Sequence, residues 1–276
     1  MKKLFTLLAL TITFSINAQI SDNSNGTLAT GDYAVAMGFN TQANGTASTA
    51  MGSSTIAAGA YAVAMGYQTQ ASGNFSTAMG AFSTASGSIS TAMGDQTTAS
   101  GSYSTTIGSG TTASDYASLV IGQYNSSGSS ATSASSFSTS APAFVIGNGT
   151  NSSNKSDAFK VMFNGDATVS NDLTVSGDVV ISSDARLKSN IVSLGSTLPK
   201  LLQIDGKSYE MKGKQKIGVL AQEINEVFPE LVSKDDNEML AVNYQGLVPV
   251  LINALKEQQS EIDELKEMVQ SLVSKE

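Results

Sequence analysis

Hydrophobic and polar positions alternate along the first half of the chain in short stretches, and each stretch recurs 14 residues later. In the first copy, one set of positions is bulky and the intervening set is small: Tyr33, Val35 and Met37 against Ala34 and Ala36. Alternation with a period of two places the two sets on opposite faces of a β-strand. The pattern therefore predicts a series of short strands, each with one bulky and one small face.

Glycine marks two positions of this period, which runs through seven copies without an insertion. One position is glycine in every copy: Gly38, Gly52, Gly66, Gly80, Gly94, Gly108 and Gly122. The other is glycine in six copies, and Asp115 replaces it in the last: Gly31, Gly45, Gly59, Gly73, Gly87 and Gly101. A fixed period indicates stacked units, and glycine permits tight turns. We therefore predict a β-solenoid in which 14 residues form one coil with two short strands.

Only the small face fits a narrow core in which backbones approach closely, so the bulky stripe is expected outside. One narrow solenoid buries little apolar area, and an exposed stripe of Tyr, Val, Met and Ile favours coverage by another chain. Oligomerisation along the stripe is therefore predicted. The alternative places the bulky residues in the core and the Ala/Ser face outside.

After the repeats the pattern changes twice. Residues 123–182 read as a Ser/Thr-rich linker followed by a β-neck, with strand-like runs at 143–147, 158–163, 167–169, 173–175 and 179–181. Residues 183–276 carry the mixed periodicities of a small α+β domain. Near its start, the sequence predicts a short helix or turn over 184–191 and a helix over 194–204. The predicted domains are thus a head over 19–122, a neck over 123–182 and a C-terminal domain over 183–276.

The chain from Tyr244 to about Ser274 predicts one long helix. Its apolar positions follow a heptad: Val248, Leu255, Ile262 and Val269 at a, and Leu251, Gln258, Leu265 and Leu272 at d. Four heptads favour a coiled coil. β-Branched residues at a with Leu at d favour two helices, whereas Gln258 and the threefold head implied by the resemblance below favour three.

Composition narrows the chemistry that the chain can perform. It contains no His and no Cys, which excludes a Ser-His-Asp triad, a Cys nucleophile and the common soft-metal sites. The formal net charge of −8 argues against nucleic acid. A Ca²⁺ or Mg²⁺ site built from carboxylates stays possible, but the sequence has no Asp- and Asn-rich loop of that kind. We therefore expect no cofactor, no metal and no nucleic-acid partner.

The N-terminus has the order of a secretory signal peptide. Two lysines after Met1 precede an apolar run over residues 4–14, and Ala18 offers a cleavage point before Gln19. The run is too short to span a membrane. Removal of residues 1–18 is therefore predicted, leaving a mature chain that is secreted or at the cell surface, without a membrane-spanning segment.

Ser183 and Lys188 are the candidate catalytic residues. A serine nucleophile needs a base, and a neutral lysine amine can serve in a chain without His. The pair predicts self-cleavage between Ser182 and Ser183, helped by burial or by a nearby charge such as Arg186 that keeps the amine neutral. A spacing of five does not place both side chains on one helix face, so a bend or another protomer must bring them together. The alternative is that Ser183 only caps a helix beginning at Asp184.

Two segments of the head carry a family resemblance. Gly-Asp-Tyr-Ala-Val-Ala-Met-Gly at 31–38 and Gly-Asn-Phe-Ser-Thr-Ala-Met-Gly at 73–80 resemble the head repeats of trimeric autotransporter adhesins, over about residues 26–123. The resemblance implies a left-handed parallel β-roll with three chains to a head. It also implies an extracellular ligand, either a glycan or a protein. A homotrimer and such a ligand are therefore the expected partners.

The C-terminal domain resembles the endosialidase-type intramolecular chaperone. The resemblance rests on the last helix and on four segments: 183–191, 217–222, 227–232 and 242–247. It implies a domain that holds three chains in register while the fibre folds, and then cuts itself off. Carried over to this chain, the nucleophile is Ser183, the base is Lys188, and the cut precedes Ser183.

The sequence as a whole predicts an exported trimeric adhesin-like fibre, mostly β with a C-terminal α/β part. Its enzymatic activity would be at most a single-turnover self-cleavage by a Ser/Lys endopeptidase. Two alternatives stay open: a purely structural or ice- or mineral-binding solenoid with an uncleaved trimerisation domain, and a fibre that degrades glycans. An outward threonine row would favour mineral binding and an inward row would exclude it: Thr41, Thr55, Thr69, Thr97 and Thr111, interrupted by Ser83.

Overall fold

The computed structural model describes residues 20–21, 26–235 and 238–274. The chain divides into two compact units, Met1–Asp178 and Val179–Glu276. The predicted signal peptide, residues 1–18, lies outside the described residues.

Two parallel sheets of different strand length build the repeats of the first unit. The long strands are β1 (Ile20–Ser21), β3 (Val35–Phe39), β5 (Thr49–Ser53), β7 (Val63–Tyr67), β9 (Thr77–Ala81), β11 (Thr91–Asp95), β13 (Thr105–Ser109) and β15 (Leu119–Gln123). The short strands are β2 (Leu28–Ala29), β4 (Gln42–Ala43), β6 (Ile56–Ala57), β8 (Gln70–Ala71), β10 (Thr84–Ala85), β12 (Thr98–Ala99) and β14 (Thr112–Ala113). Each strand pairs with its copy in the next coil, so that Val35 lies beside Thr49 and Gln42 beside Ile56. The predicted β-solenoid of about seven coils is confirmed.

Small side chains fill the space between the two sheets. Ala36 and Ala50 on the long strands and Ala43 and Ala57 on the short strands are fully buried. Met37, next to Ala36, is 39% exposed. The alternative with a bulky core is therefore wrong, because the small set of the alternating positions is the one that is buried between the sheets.

The threonine row also lies inside the roll. Its members are at most 1% exposed: Thr41, Thr55, Thr69, Thr97 and Thr111. A buried hydroxyl cannot contact an ice or mineral surface. Mineral binding through this row is thereby excluded.

The strands begin two residues later than the alternation predicted. Tyr33 lies in the turn before β3, with φ at +59°, so its backbone is in the left-handed region. The same turn position holds Tyr61 and Phe75, whose rings stack 4.9 Å apart. A bulky residue at positive φ is strained, and stacking between coils offsets part of that cost.

One of the two glycine positions is fixed by both backbone conformation and space. Gly66 has φ at +122°, which other residues rarely adopt. A Cβ added there would collide with the carbonyl oxygen of Gly80 in the next coil. Glycine at this position therefore lets successive backbones stack at strand spacing.

An irregular segment and three strands complete the first unit. They are β16 (Pro142–Asn148), parallel to β15, then β17 (Asp157–Met162) and β18 (Ala167–Val169), both antiparallel. Asp115 is buried in the last coil and accepts hydrogen bonds from the backbone N–H groups of Thr132 and Ser133, at 2.6 and 2.7 Å. The aspartate that breaks the glycine pattern thus holds the irregular segment against the end of the roll.

The second unit is a small α+β domain built on a long helix. Its helices are α1 (Leu198–Leu201), α2 (Ala221–Val227) and α3 (Leu247–Val273), and its strands are β19 (Lys207–Met211), β20 (Lys214–Gly218), β21 (Val232–Lys234) and β22 (Leu240–Val242). Ile224 and Phe228 pack with Val250 of α3 to form its core. A short 3-10 turn, Tyr244–Gly246, leads into α3, so the predicted long helix is confirmed.

Several predicted elements around the start of this unit are wrong. Residues 173–175 and 179–181 do not form strands, and they are exposed to solvent. The helix predicted over 194–204 is too long: the observed helix is α1, which has Pro199 in its first turn and ends after Leu201. The short helix or turn predicted over 184–191 is, in contrast, confirmed in part, by the 3-10 turn Ala185–Leu187.

Two faces of α3 meet different surroundings. Val250 and Ala254 are buried, each 3% exposed. The apolar heptad positions are instead 41–67% exposed: Val248, Leu251, Leu255, Ile262, Leu265, Val269 and Leu272. The described part of the chain leaves this second face open. Neither α3 nor any other helix among the described residues is long and apolar enough to cross a membrane.

Candidate functional site

The backbone turns sharply between the two candidate catalytic residues. Asp184 and Lys188 have extended backbones on either side of the 3-10 turn Ala185–Leu187. The Asp184 carboxylate caps this turn by accepting a hydrogen bond from the backbone N–H of Arg186 at 2.8 Å. The interpretation of Ser183 as a helix cap is therefore wrong, because Asp184 has that role and the helix is absent.

The turn brings the hydroxyl and the amine together. Lys188 Nζ donates a hydrogen bond to Ser183 Oγ at 2.7 Å. A nucleophile and its base need a separation of about 2.6–3.2 Å. A spacing of five residues thus allows Ser183 and Lys188 to meet within one chain, because the backbone between them forms a tight turn and not a helix.

Arg186 directs its charge to Asp184. Its Nε and one terminal nitrogen donate to the two carboxylate oxygens at 3.0 and 2.7 Å. These hydrogen bonds lower the pKa of Asp184 and raise the pKa of Arg186. Both groups therefore stay charged at neutral pH and form an ion pair with each other.

The segment around the pair is exposed in the single chain. Val180, Leu187 and Val192 are 88%, 72% and 83% exposed. Apolar side chains at this density are typical of a surface that becomes covered on assembly. The single chain therefore has the two candidate groups in contact within a segment that is open to solvent.

Glu257 of α3 holds the chain that follows the pair. Its carboxylate accepts hydrogen bonds from Thr197 N–H at 2.6 Å, Ser196 Oγ at 2.8 Å and Leu198 N–H at 3.2 Å. The bond from Thr197 N–H is the main cause of the lowered pKa of Glu257. Sequence reasoning missed this residue, because its partner Thr197 is 60 positions away. The Ser-Thr pair before Pro199 was the available sign of a helix start.

Two family models match separate parts of the chain. Residues 29–55, 57–83 and 85–111 match the YadA head domain repeat. Residues 183–233 match the family described as chaperone of endosialidase, and this match begins at Ser183. No curated protein matches the chain. The two matches fall on the head repeats and on the start of the C-terminal domain, the same two segments in which the motifs indicated these families.

Proposed function

We propose that the protein is an exported, homotrimeric, adhesin-like surface fibre whose C-terminal domain holds three chains in register and then cuts itself off before Ser183. The head binds an extracellular glycan or protein. The observation that carries the proposal is the hydrogen bond of 2.7 Å between Lys188 Nζ and Ser183 Oγ, which unites the nucleophile and the base of the motif.

The cleavage proceeds as an acyl shift followed by hydrolysis. Lys188, as a neutral amine, takes the proton of the Ser183 hydroxyl, and Oγ attacks the carbonyl carbon of Ser182. The peptide C–N bond breaks, the Ser183 nitrogen takes the proton from Lys188, and an ester joins Ser182 to Ser183 Oγ. Water then hydrolyses the ester. The products are a carboxylate at Ser182 and a chain that begins with Ser183.

Assembly is the proposed trigger. Lys188 must lose a proton before it can act, and burial favours the neutral amine. In one chain the segment is exposed, and the Arg186 charge is paired with Asp184. Cover from a neighbouring copy over Leu187 and Val192 would supply the burial. Cleavage is thereby coupled to trimerisation.

Two exposed apolar surfaces support a trimer. One is the open heptad face of α3, which includes Ile262 and Leu265. The other is the outer face of the long strands, where Met37 and Ile107 are each 39% exposed. Association through α3 raises the local concentration of the three heads. This association would help the repeats of the three chains to align in one register, although their identical pattern is compatible with several registers.

The basic, apolar and small-residue order of residues 1–18 supports export. The match to YadA head repeats supports a place outside the cell, as a secreted or surface-attached fibre.

Mass spectrometry of the full chain, expressed and assembled, tests the proposed self-cleavage. We expect a fragment of residues 183–276 with an N-terminal serine. Ser183→Ala and Lys188→Ala should each give a full-length trimer. Lys188→Arg should also stay uncut, because guanidinium keeps its charge but does not lose its proton.

Ser189→Ala is the matched control, since it removes a hydroxyl from the same segment without touching the pair. It should cleave like the wild type. If the wild-type trimer forms and stays intact, the domain is a permanent trimerisation module and the proposed cleavage is wrong. Fragment release from Ser183→Ala would assign the nucleophile elsewhere.

A further inference from the structure

Positive charge between residues 19 and 182 is concentrated at one place. Between residues 19 and 182 the chain has two basic residues, Lys155 and Lys160, and eight aspartates. Both lysines line one cavity of about 330 Å³ beside β17 and β18. Besides Asp157, the remaining lining residues carry hydroxyl groups: Ser126, Ser156, Thr168 and Ser170.

Neither lysine is neutralised by the described part of the chain. Asp157 is the acidic residue that lines the cavity, and its two oxygens accept hydrogen bonds from the backbone N–H groups of Ser126 and Ser127, at 2.8 and 2.9 Å. Among the described residues, neither Lys155 nor Lys160 forms an ion pair or a side-chain hydrogen bond. Lys160 is also half-buried. A partly buried charge without a partner is costly, and an anion from outside would remove that cost.

We infer that this cavity binds an acidic sugar. The carboxylate or sulfate of the sugar lies against the ammonium groups of Lys155 and Lys160, and its ring hydroxyls bond to Ser126 and Thr168. This inference names the ligand class for the proposed binding role of the head, and it rests on that role. It is independent of self-cleavage.

Size and charge favour a small acidic sugar over a long polyanion. Ligand sites range over roughly 300–1,000 Å³, so a cavity of about 330 Å³ admits about one sugar ring. The net negative charge of residues 19–182 repels a polyanion, whereas the two lysines make the cavity locally attractive to one negative group.

Calorimetric titration of the full chain at low salt tests the inference. The probes are N-acetylneuraminic acid, glucuronic acid and galactose 6-sulfate, with galactose and N-acetylglucosamine as neutral counterparts. We expect the acidic sugars to bind and the neutral ones not to bind. Lys155→Gln and Lys160→Gln should each weaken binding by about tenfold or more, as expected for a lost charge-assisted hydrogen bond, and high salt should weaken it further.

Lys256→Gln, on exposed α3, changes the net charge equally and should leave sugar binding unchanged. Equal binding of neutral and acidic sugars, no binding, or binding that the Lys155 and Lys160 variants do not alter would each overturn the inference. A lower melting temperature or an altered oligomeric mass of the Lys155 and Lys160 variants without sugar would also overturn the inference. The lysines would then pair with a carboxylate of another copy. Light scattering of the same samples reports the trimer, and fragment analysis reports self-cleavage. These two measurements distinguish a failure of the sugar-binding inference from a failure of the fibre proposal.

Discussion

Replacing Gly66 by alanine tests whether contact between successive backbones determines the stability of the roll. Gly66 has φ at +122°, and a Cβ there meets the carbonyl oxygen of Gly80. Strain in this backbone region costs about 1–3 kcal/mol. Displacement of a close-packed neighbour adds about 1–3 kcal/mol. We therefore expect a loss of about 2–6 kcal/mol, a large part of the typical stability of a domain, about 5–15 kcal/mol.

Gly165→Ala separates the two contributions. Gly165 also has positive φ, at +94°, but an added Cβ would have no neighbour within 4 Å. This variant should lose only the strain contribution, about 1–3 kcal/mol. Ala47→Gly is the reverse control, because Ala47 already has φ at +53° and glycine relieves its strain.

Urea unfolding of the full chain, followed by circular dichroism of the β-structure, measures these differences. The expected order of stability is Ala47→Gly near wild type, then Gly165→Ala, then Gly66→Ala. If Gly66→Ala loses no more stability than Gly165→Ala, the collision between coils does not limit the fold. The steric reasoning would then be refuted, and strain alone would explain the glycine position.

Three further predictions concern assembly, acid stability and processing. Ile262→Asp with Leu265→Asp should prevent trimer formation, measured by light scattering, because buried unpaired charges are costly. The lowered pKa of Glu257 means that its contribution to stability is present above its ordinary value of 4.5 and is lost as pH falls through the lower folded value. Glu257→Gln should therefore show a smaller fall in melting temperature than wild type between about pH 5.5 and pH 3. N-terminal sequencing of the exported protein should begin at or within a few residues of Gln19.

The predictions on assembly and acid stability each have a matched comparison. Glu261→Asp and Glu264→Asp, on the same helix but outside the a and d positions, should leave the trimer intact. Glu267→Gln removes an exposed carboxylate of α3 without the Thr197 contact and should keep the wild-type pH response. A stable monomeric wild type, an unchanged acid response of Glu257→Gln, or an intact Met1 on exported protein would each contradict the corresponding argument.

The repeat architecture could be predicted because the same local constraint recurs in every coil. A 14-residue period with fixed glycines is incompatible with an ordinary globular core, and alternation assigned Ala36 to the inside. The strand start was missed because alternation does not reveal φ: Tyr33 continues the bulky set but lies in a turn at φ +59°. The strands expected at 173–175 and 179–181 were wrong because apolar sequence alone supplies no pairing partner.

The candidate site was predictable in identity but not in conformation. A serine and a lysine in a chain without His could be singled out by chemistry, and the family resemblance added their roles. The tight turn between them depends on the Asp184 cap and on the contact of Asp184 with Arg186. The sequence alone is equally compatible with a helix over this segment. Glu257 could not be found from sequence, because its contacts depend on how α3 packs beside Thr197.

The coil-on-coil stacking of the roll has a consequence for how such a gene can change. Every internal coil offers the same two backbone edges, with Val35 above Thr49 as Thr49 lies above Val63. A duplication or deletion of one whole repeat in the gene therefore preserves the backbone pairing between neighbouring coils and alters the length of the head by one strand spacing, about 4.8 Å. Asp115 and the segment it holds are specific to the last coil, so length can vary only upstream of them. Recombination can thus change the length of the head by whole repeats, without any change in the sequence at either end of the head.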